Sequence, residues 1–199
     1  MLPLLRHPNI ASILGQCDYE DEHIIVQEHM ASGTLYDRLH AHKTGQHALD
    51  WNMRMKIAVG VAKGLSYLHQ EANPRVIHGN IVSSNVLIDD EGHPRISGFG
   101  HATCTAPDSD HTAFMFDTYS FGTWHMVLTG DPQLNGKFPT DILKAIVNLV
   151  ALECLNEADD VRPDMAEVLD SLTYLTSCPY NPSAPKRSRL LLLSEELAT

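Results

Sequence analysis

LDWNMRMKIAVGVAKGLSYLHQEANPRVIHGNIVSSNVLIDDEGHPRISGFG, residues Leu49 to Gly100, changes its periodicity midway. In its first half Ile57, Val61, Leu65 and Leu68 recur at helical spacing, Asp50 stands where an N-cap belongs, and Asn73-Pro74 ends the pattern. The second half predicts short strands at Val76-Ile77 and Val86 to Ile88, separated by a polar excursion. A turn over Asp89 to Gly92 follows, then a brief strand at Arg95-Ile96 that stops at Gly98-Phe99-Gly100. A long helix that delivers the chain into polar loops between short strands is a common way of holding chemistry on a rigid frame.

Upstream, Ala11 to Tyr19 and His23 to Met30 predict a hairpin around the acidic stretch Asp18 to Glu22. Ala31-Ser32-Gly33 breaks that pattern, Thr34 to His40 reads as a short helix, and Ala41 to Ala48 as a polar loop. Downstream the chain is polar and irregular to Met115. Helical patterns then run over Asp117 to Leu128, over the very apolar and buried stretch Asp141 to Leu155, and over Met165 to Leu175, with a tail at Pro179 to Arg189. Two strands, a long helix, paired short strands and a helical block describe an α+β domain with most helices toward its C-terminal end.

At 199 residues and 43% apolar content the chain builds one domain with a substantial core. A net charge of −11 argues against nucleic acid or an anionic membrane surface, because phosphate binding needs clustered positive charge, and favours protein partners. Cys17, Cys104, Cys154 and Cys178 are too scattered for a disulfide framework or a zinc site, so a reducing cytoplasmic setting is expected. His40, His42 and His47 share a polar stretch that reads as a solvated loop rather than a metal site. The longest aliphatic run, Leu190 to Leu193, falls far short of the ~20 residues of a membrane helix, and MLPLLRHPNI has no signal-peptide pattern.

The Leu49 to Gly100 run resembles the helix and catalytic-loop region of plant receptor-like protein kinases. LLRHPNIASILGQCDYEDEHIIVQEHMASGTLYDRLH is similar to the segment entering that family's hinge. DTYSFGTWHMVLTG is similar to its central C-lobe helix, and LECLNEADDVRPDMAEVLDSL to its last helices. The resemblance implies a protein-kinase-like α+β fold, mainly the helical C-lobe with a remnant N-lobe hairpin. Its expected boundaries are 1–30 for the N-lobe remnant and hinge, 31–178 for the C-lobe and 179–199 for a flexible tail. It also implies that the chain opens where the family's αC helix ends, without the glycine-rich loop, the phosphate-binding Lys and that Lys's Glu partner.

Such a kinase needs a positioned carboxylate at the attacking hydroxyl, an Asp on Mg²⁺ and a Lys on the phosphates. The family's His-Arg-Asp reads here as His78-Gly79-Asn80, which puts an amide where the base belongs. Loss of a general base alone costs on the order of 10²- to 10⁴-fold in rate. The Lys expected two residues on is Val82, and Asp-Phe-Gly reads as Gly98-Phe99-Gly100, with no side-chain oxygen for Mg²⁺. Asn85 matches the family's second metal ligand. Gly79 replaces the Arg that would pair with a phosphorylated activation segment, and only 16 residues separate Gly100 from Asp117. Ala106-Pro107-Asp108 is superficially similar to the family's Ala-Pro-Glu but sits too close to Gly100. Arg162, which pairs with that Glu in the family, is left solvated or re-paired. His78 and Asp117 match positions that brace the catalytic loop, and Trp51, Met55 and Phe99 read as core.

From these residues the chain is expected to be no enzyme but a pseudokinase-type protein-binding or regulatory module, engaging a kinase or receptor in the cytoplasm or, through that partner, at the inner face of the plasma membrane. ATP and Mg²⁺ are expected to bind at most weakly, through the vestigial positions Glu28, Met30, Asn85 and Leu87. An unconventional kinase would have to recruit Asp89, Asp90 or Glu91, which read as a solvated turn. A decayed or incomplete kinase gene product is the remaining alternative, suggested by the Met1 start and by a second shortening between Gly130 and Asp141.

Overall fold

The computed structural model describes residues 5–20, 22–40, 49–106, 109, 111–130, 134 and 150–177. The predicted loop 41–48, most of the helix expected from Asp141, the tail from Pro179, and Pro107 and Asp108 lie outside them.

Helix α2, Trp51–Ser66, is the axis of the fold, and its start is the predicted one: the Asp50 carboxylate accepts from the Met53 N–H at 2.8 Å. Ile57, Val61, Leu65 and, in the π-type turn Tyr67–Glu71 that prolongs the helix, Leu68 are wholly buried. Each such side chain contributes about 1.5–3 kcal/mol by leaving water. Burial extends around the helix to Arg54, whose Nε donates to the Leu49 carbonyl at 2.9 Å and whose Nη1 donates to the Leu128 carbonyl at 2.7 Å.

The predicted hairpin forms as β1, Ile13–Tyr19, antiparallel to β2, Glu22–Gln27, with a bulge at Leu14 between the Ile13 and Gly15 pairings. Helix α1, Leu35–Leu39, starts at a capping box in which Thr34 and Asp37 satisfy each other's backbone N–H. The short strands pair differently from their order in the chain. Strand β3, Val76–Ile77, joins β6, Thr103–Cys104, whereas β4, Val86–Ile88, joins β5, Pro94–Ile96. The stretch after Gly100 is therefore not wholly irregular. Gly64 lets α2 lie against β5: a Cβ there would meet Ile96 Cδ1 at 2.8 Å and the Asn9 carbonyl at 2.9 Å.

Helix α3, Met115–Gly130, begins two residues earlier than its apolar pattern suggests. Residues 150–154 are helical and press on it, since a Cβ at Gly122 would meet Cys154 Cβ at 2.7 Å. Helix α4, Met165–Thr176, is capped by Asp164 and Glu167 and packs Val168 and Leu172 into the core beside α2. The core fills the space between α2, α3, α4 and the β4–β5 pair. The loops between β3 and β4 and after β5 meet at one end of this frame.

Candidate functional site

Asp117, on the first turn of α3, is fully buried and gathers the loop after β3 around its carboxylate. Oδ2 accepts from the His78 N–H at 2.7 Å and lies 3.0 Å from His69 Nε2, and Oδ1 accepts from the Gly79 N–H at 2.8 Å. Burial pushes the Asp117 pKa up, but the His69 hydrogen bond and charge and the two backbone N–H groups outweigh it. The carboxyl is held below its ordinary value. A buried anion with three donors is a structural anchor: it fixes where the His78-Gly79-Asn80 backbone runs.

The His78 ring passes from this loop to the strand after it. Its Nε2 lies 2.9 Å from the Ser97 carbonyl, which can only accept, so Nε2 carries the proton and Nδ1 is left to accept from the Asn80 N–H at 3.2 Å. Burial lowers the His78 pKa despite the Asp117 charge, which keeps that neutral tautomer. Phe99 closes the arrangement with its ring edge-on to His78, centroids 4.8 Å apart.

Asn80, Asn85 and Gly98 come together in front of this anchor. Asn85 Nδ2 donates to the Asn80 carbonyl at 3.0 Å, while the Asn85 carbonyl accepts from the Ser97 N–H at 2.8 Å. Gly98 has φ +80°, and a Cβ built on it would lie 2.4 Å from Asn85 Cγ. The Asn85 amide thus occupies the space a side chain at position 98 would need. A Mg²⁺–nucleotide pair calls for carboxylate oxygens on the metal. Among the described residues here, Asp117 is committed to its three donors, and the groups around Gly98 are neutral amides. These residues do not fit the metal.

Glu28, Met30 and Leu87 lie on the hinge side. Glu28 Oε1 accepts from the Ser12 N–H and from Arg95 Nη1, both at 2.9 Å, and the backbone bond from Ser12 leads the effects that lower its pKa. Its backbone N–H donates to the Ser12 carbonyl at 2.9 Å. The Met30 carbonyl accepts from Gly33 at 3.2 Å, and Leu87 bridges to Thr34. Gln27 Oε1 reaches the Gly98 N–H at 3.5 Å and joins the hinge to the glycine turn. Arg162 stands apart and is re-paired: Nη1 donates to the Met115 carbonyl at 2.7 Å and lies 2.8 Å from Asp159 Oδ1, and Nε donates to the Asn156 carbonyl at 3.0 Å.

Sequence reasoning missed His69, Ser97 and Gln27. His69 follows Leu68 in the stripe of α2 and reads there as helix; only its distance to Asp117 gives it a role. Ser97 acts through its backbone, which leaves no signature in a residue pattern.

A fold of this kind around a buried histidine–aspartate loop anchor is that of a protein kinase C-lobe. A family model described as "Protein tyrosine and serine/threonine kinase" matches residues 1–117, and the chain belongs to that family. It is 35% identical over 92% of its length to the serine/threonine-protein kinase PBS1 of Arabidopsis thaliana, of which it covers 52%. It is 33% identical over 93% of its length to the serine/threonine-protein kinase PBL27 of the same plant, of which it covers 47%. With the probable serine/threonine-protein kinase PBL7 the identity is 32% over 92% of the chain, covering 63% of that relative. The chain thus spans about half the length of the first two relatives.

These relatives correct the expectation that the chain is no enzyme. They are serine/threonine-protein kinases, and membership of their family points to an enzyme. That expectation weighed the exchanged side chains at Asn80, Val82 and Gly98 together with the missing glycine-rich loop and phosphate-binding Lys. A residue exchanged within one motif describes the position it occupies and does not set the class of the whole fold.

Proposed function

We propose that the chain serves kinase signalling as a protein-binding, regulatory lobe built on the kinase C-lobe frame, engaging a serine/threonine kinase or receptor of its relatives' class. The observation that carries this reading is the contrast within the site. The Asp117–His69–His78 anchor that shapes the loop is complete and buried, whereas the positions facing a metal hold amides and a glycine. What these residues maintain is a surface of defined shape. ATP and Mg²⁺ take a minor part, with Glu28, Met30, Asn85 and Leu87 forming a weak nucleotide shelf. Among the described residues no helix is long and apolar enough to cross a membrane. We place the lobe in the cytoplasm and, through its partner, at the inner face of the plasma membrane.

The test titrates the purified chain against full-length plant receptor-like cytoplasmic kinases, reading complex formation by calorimetry and the partner's phosphoryl-transfer rate in parallel. A saturable one-to-one complex with Kd of about 10 μM or tighter, together with a changed partner rate, is expected. Absence of a saturable complex up to about 100 μM with every kinase tried would sink the reading.

A further inference from the structure

The turn between β4 and β5 gathers three side chains that can ligate a metal. A carboxylate oxygen of Asp89, one of Glu91 and a ring nitrogen of His93 all lie within 4.8 Å of one another. Backbone bonding arranges them. Asp89 Oδ1 accepts from the Glu91 N–H at 3.0 Å and from the His93 N–H at 2.7 Å, which turns its second oxygen toward the His93 ring. The turn is also held from outside. Lys56 Nζ, on α2, donates to the Glu91 carbonyl at 3.1 Å, and the Ser32 hydroxyl donates to Asp90. Gly92, at φ +79°, lies so close to α2 that a Cβ there would meet Met53 Cε at 2.8 Å. The donor atoms are thus placed before any ion arrives.

Their spacing and chemistry name the kind of ion. His93 Nδ1 stands 3.2 Å from Asp89 Oδ2 and 3.4 Å from Glu91 Oε2. A charge-assisted N–H···O bond closes to about 2.7–2.9 Å, so neither separation is that of a tight ion pair. Nitrogen and oxygen ligands about 2.0–2.1 Å from a tetrahedral ion stand about 3.3–3.4 Å from each other, close to both separations. Mg²⁺ and Ca²⁺ take shells of oxygen, whereas an imidazole among carboxylates suits Zn²⁺ and its neighbours. Two carboxylates cancel the charge of such an ion, and the chain's net charge of −11 attracts it. All three residues line a cavity of about 590 Å³ beside α2, where a water has room to be the fourth ligand.

We propose that Asp89, Glu91 and His93 bind a zinc-like divalent ion that staples the β4–β5 turn. The two strands lead at their far ends to Asn85 and Gly98, so the ion stiffens the frame on which that pair stands. This proposal does not depend on the function proposed above.

Amide exchange by mass spectrometry tests it in the full chain, first stripped with a chelator, with α3 as the internal reference for folding. At about 100 μM free Zn²⁺ the amides of Ile88 to His93 should exchange about tenfold more slowly, as a Kd of about 10 μM requires. His93→Ala and, separately, Glu91→Gln should bring that slowing below about twofold, with zinc-free exchange in α3 as in the wild type. Replacing His40→Gln, His42→Gln and His47→Gln together should leave it intact. The proposal is overturned if Zn²⁺ does not slow exchange in the turn, if the slowing survives His93→Ala, or if the triple histidine variant abolishes it. Equal slowing by about 1 mM Mg²⁺ also overturns it, since the carboxylates would then be collecting any cation. So does slowing that grows with protein concentration, since the ion would then bridge two copies.

Discussion

Lowering the pH should destabilise this chain through His125, on α3. The ring is fully buried, stacks on Phe121 with centroids 5.6 Å apart, and has no hydrogen-bond partner at either nitrogen among the described residues. Burial alone drives its pKa from 6.5 to about 4. The folded state binds the proton less readily than the unfolded chain. Stability is therefore complete above the unfolded pKa near 6.5 and is lost as pH falls from there to about 4, below which the term is constant. A fall of about 2.5 units at about 1.36 kcal/mol each makes the loss about 3 kcal/mol, a large share of the 5–15 kcal/mol typical of a domain. Replacing His125→Leu removes both the titration and two unpaired buried polar atoms, so the variant should be about 1–3 kcal/mol more stable at pH 7. The assay is urea denaturation of both proteins from pH 7.5 to pH 4.5. Groups that titrate elsewhere act equally on both, so the difference between the two curves isolates His125. Should the two proteins lose stability in parallel over that range, the ring is not held neutral by burial and the reasoning fails.

Two further outcomes follow from the site. Asp117→Asn puts an N–H₂ group among donors that all point at a carboxylate, and should cost about 3–5 kcal/mol with faster exchange at the His78 and Gly79 amides. A change under about 0.5 kcal/mol would show that the loop does not hang on this residue. The wild type's Asp117 contribution is present above the unfolded carboxylate pKa and disappears as pH drops through the lowered folded value. Gly98→Asp alone is expected to destabilise by about 1–3 kcal/mol, because its Cβ would lie 2.4 Å from Asn85 Cγ on a backbone with φ +80°, and Asn85→Gly in the same chain should recover only the part due to the clash. A Gly98→Asp protein as stable as the wild type would mean that the Asn85 amide swings away freely.

The sequence is most legible where one period runs long enough to be counted. Ile57 to Leu68 marks α2 without help, and Asp50 marks its start, because an N-cap is local chemistry between neighbours. Strands of two or three residues have too few positions to show alternation or choose a partner. Nothing in Val76-Ile77 says that it pairs with Thr103-Cys104 rather than with Val86 to Ile88. The site divides in the same way. His78, Asn80, Asn85, Gly98 and Asp117 could be located by their motifs, but that Asn85 fills the space over Gly98 is a fact of backbone geometry. Arg54 and His125 read as an ordinary basic residue and one histidine among 12; their burial depends on how three helices meet.

Arg162, 47 residues after Met115 in the chain, fastens that first residue of α3 to the loop at Asn156. The two ends of that long excursion are held by one guanidinium, whatever the excursion contains. Loop-closure entropy grows only slowly with length, at about 0.6 kcal/mol per doubling. Lineages carrying this clamp can therefore shorten or lengthen the stretch between α3 and residue 150 without disturbing either end. Length variation among related chains should concentrate there.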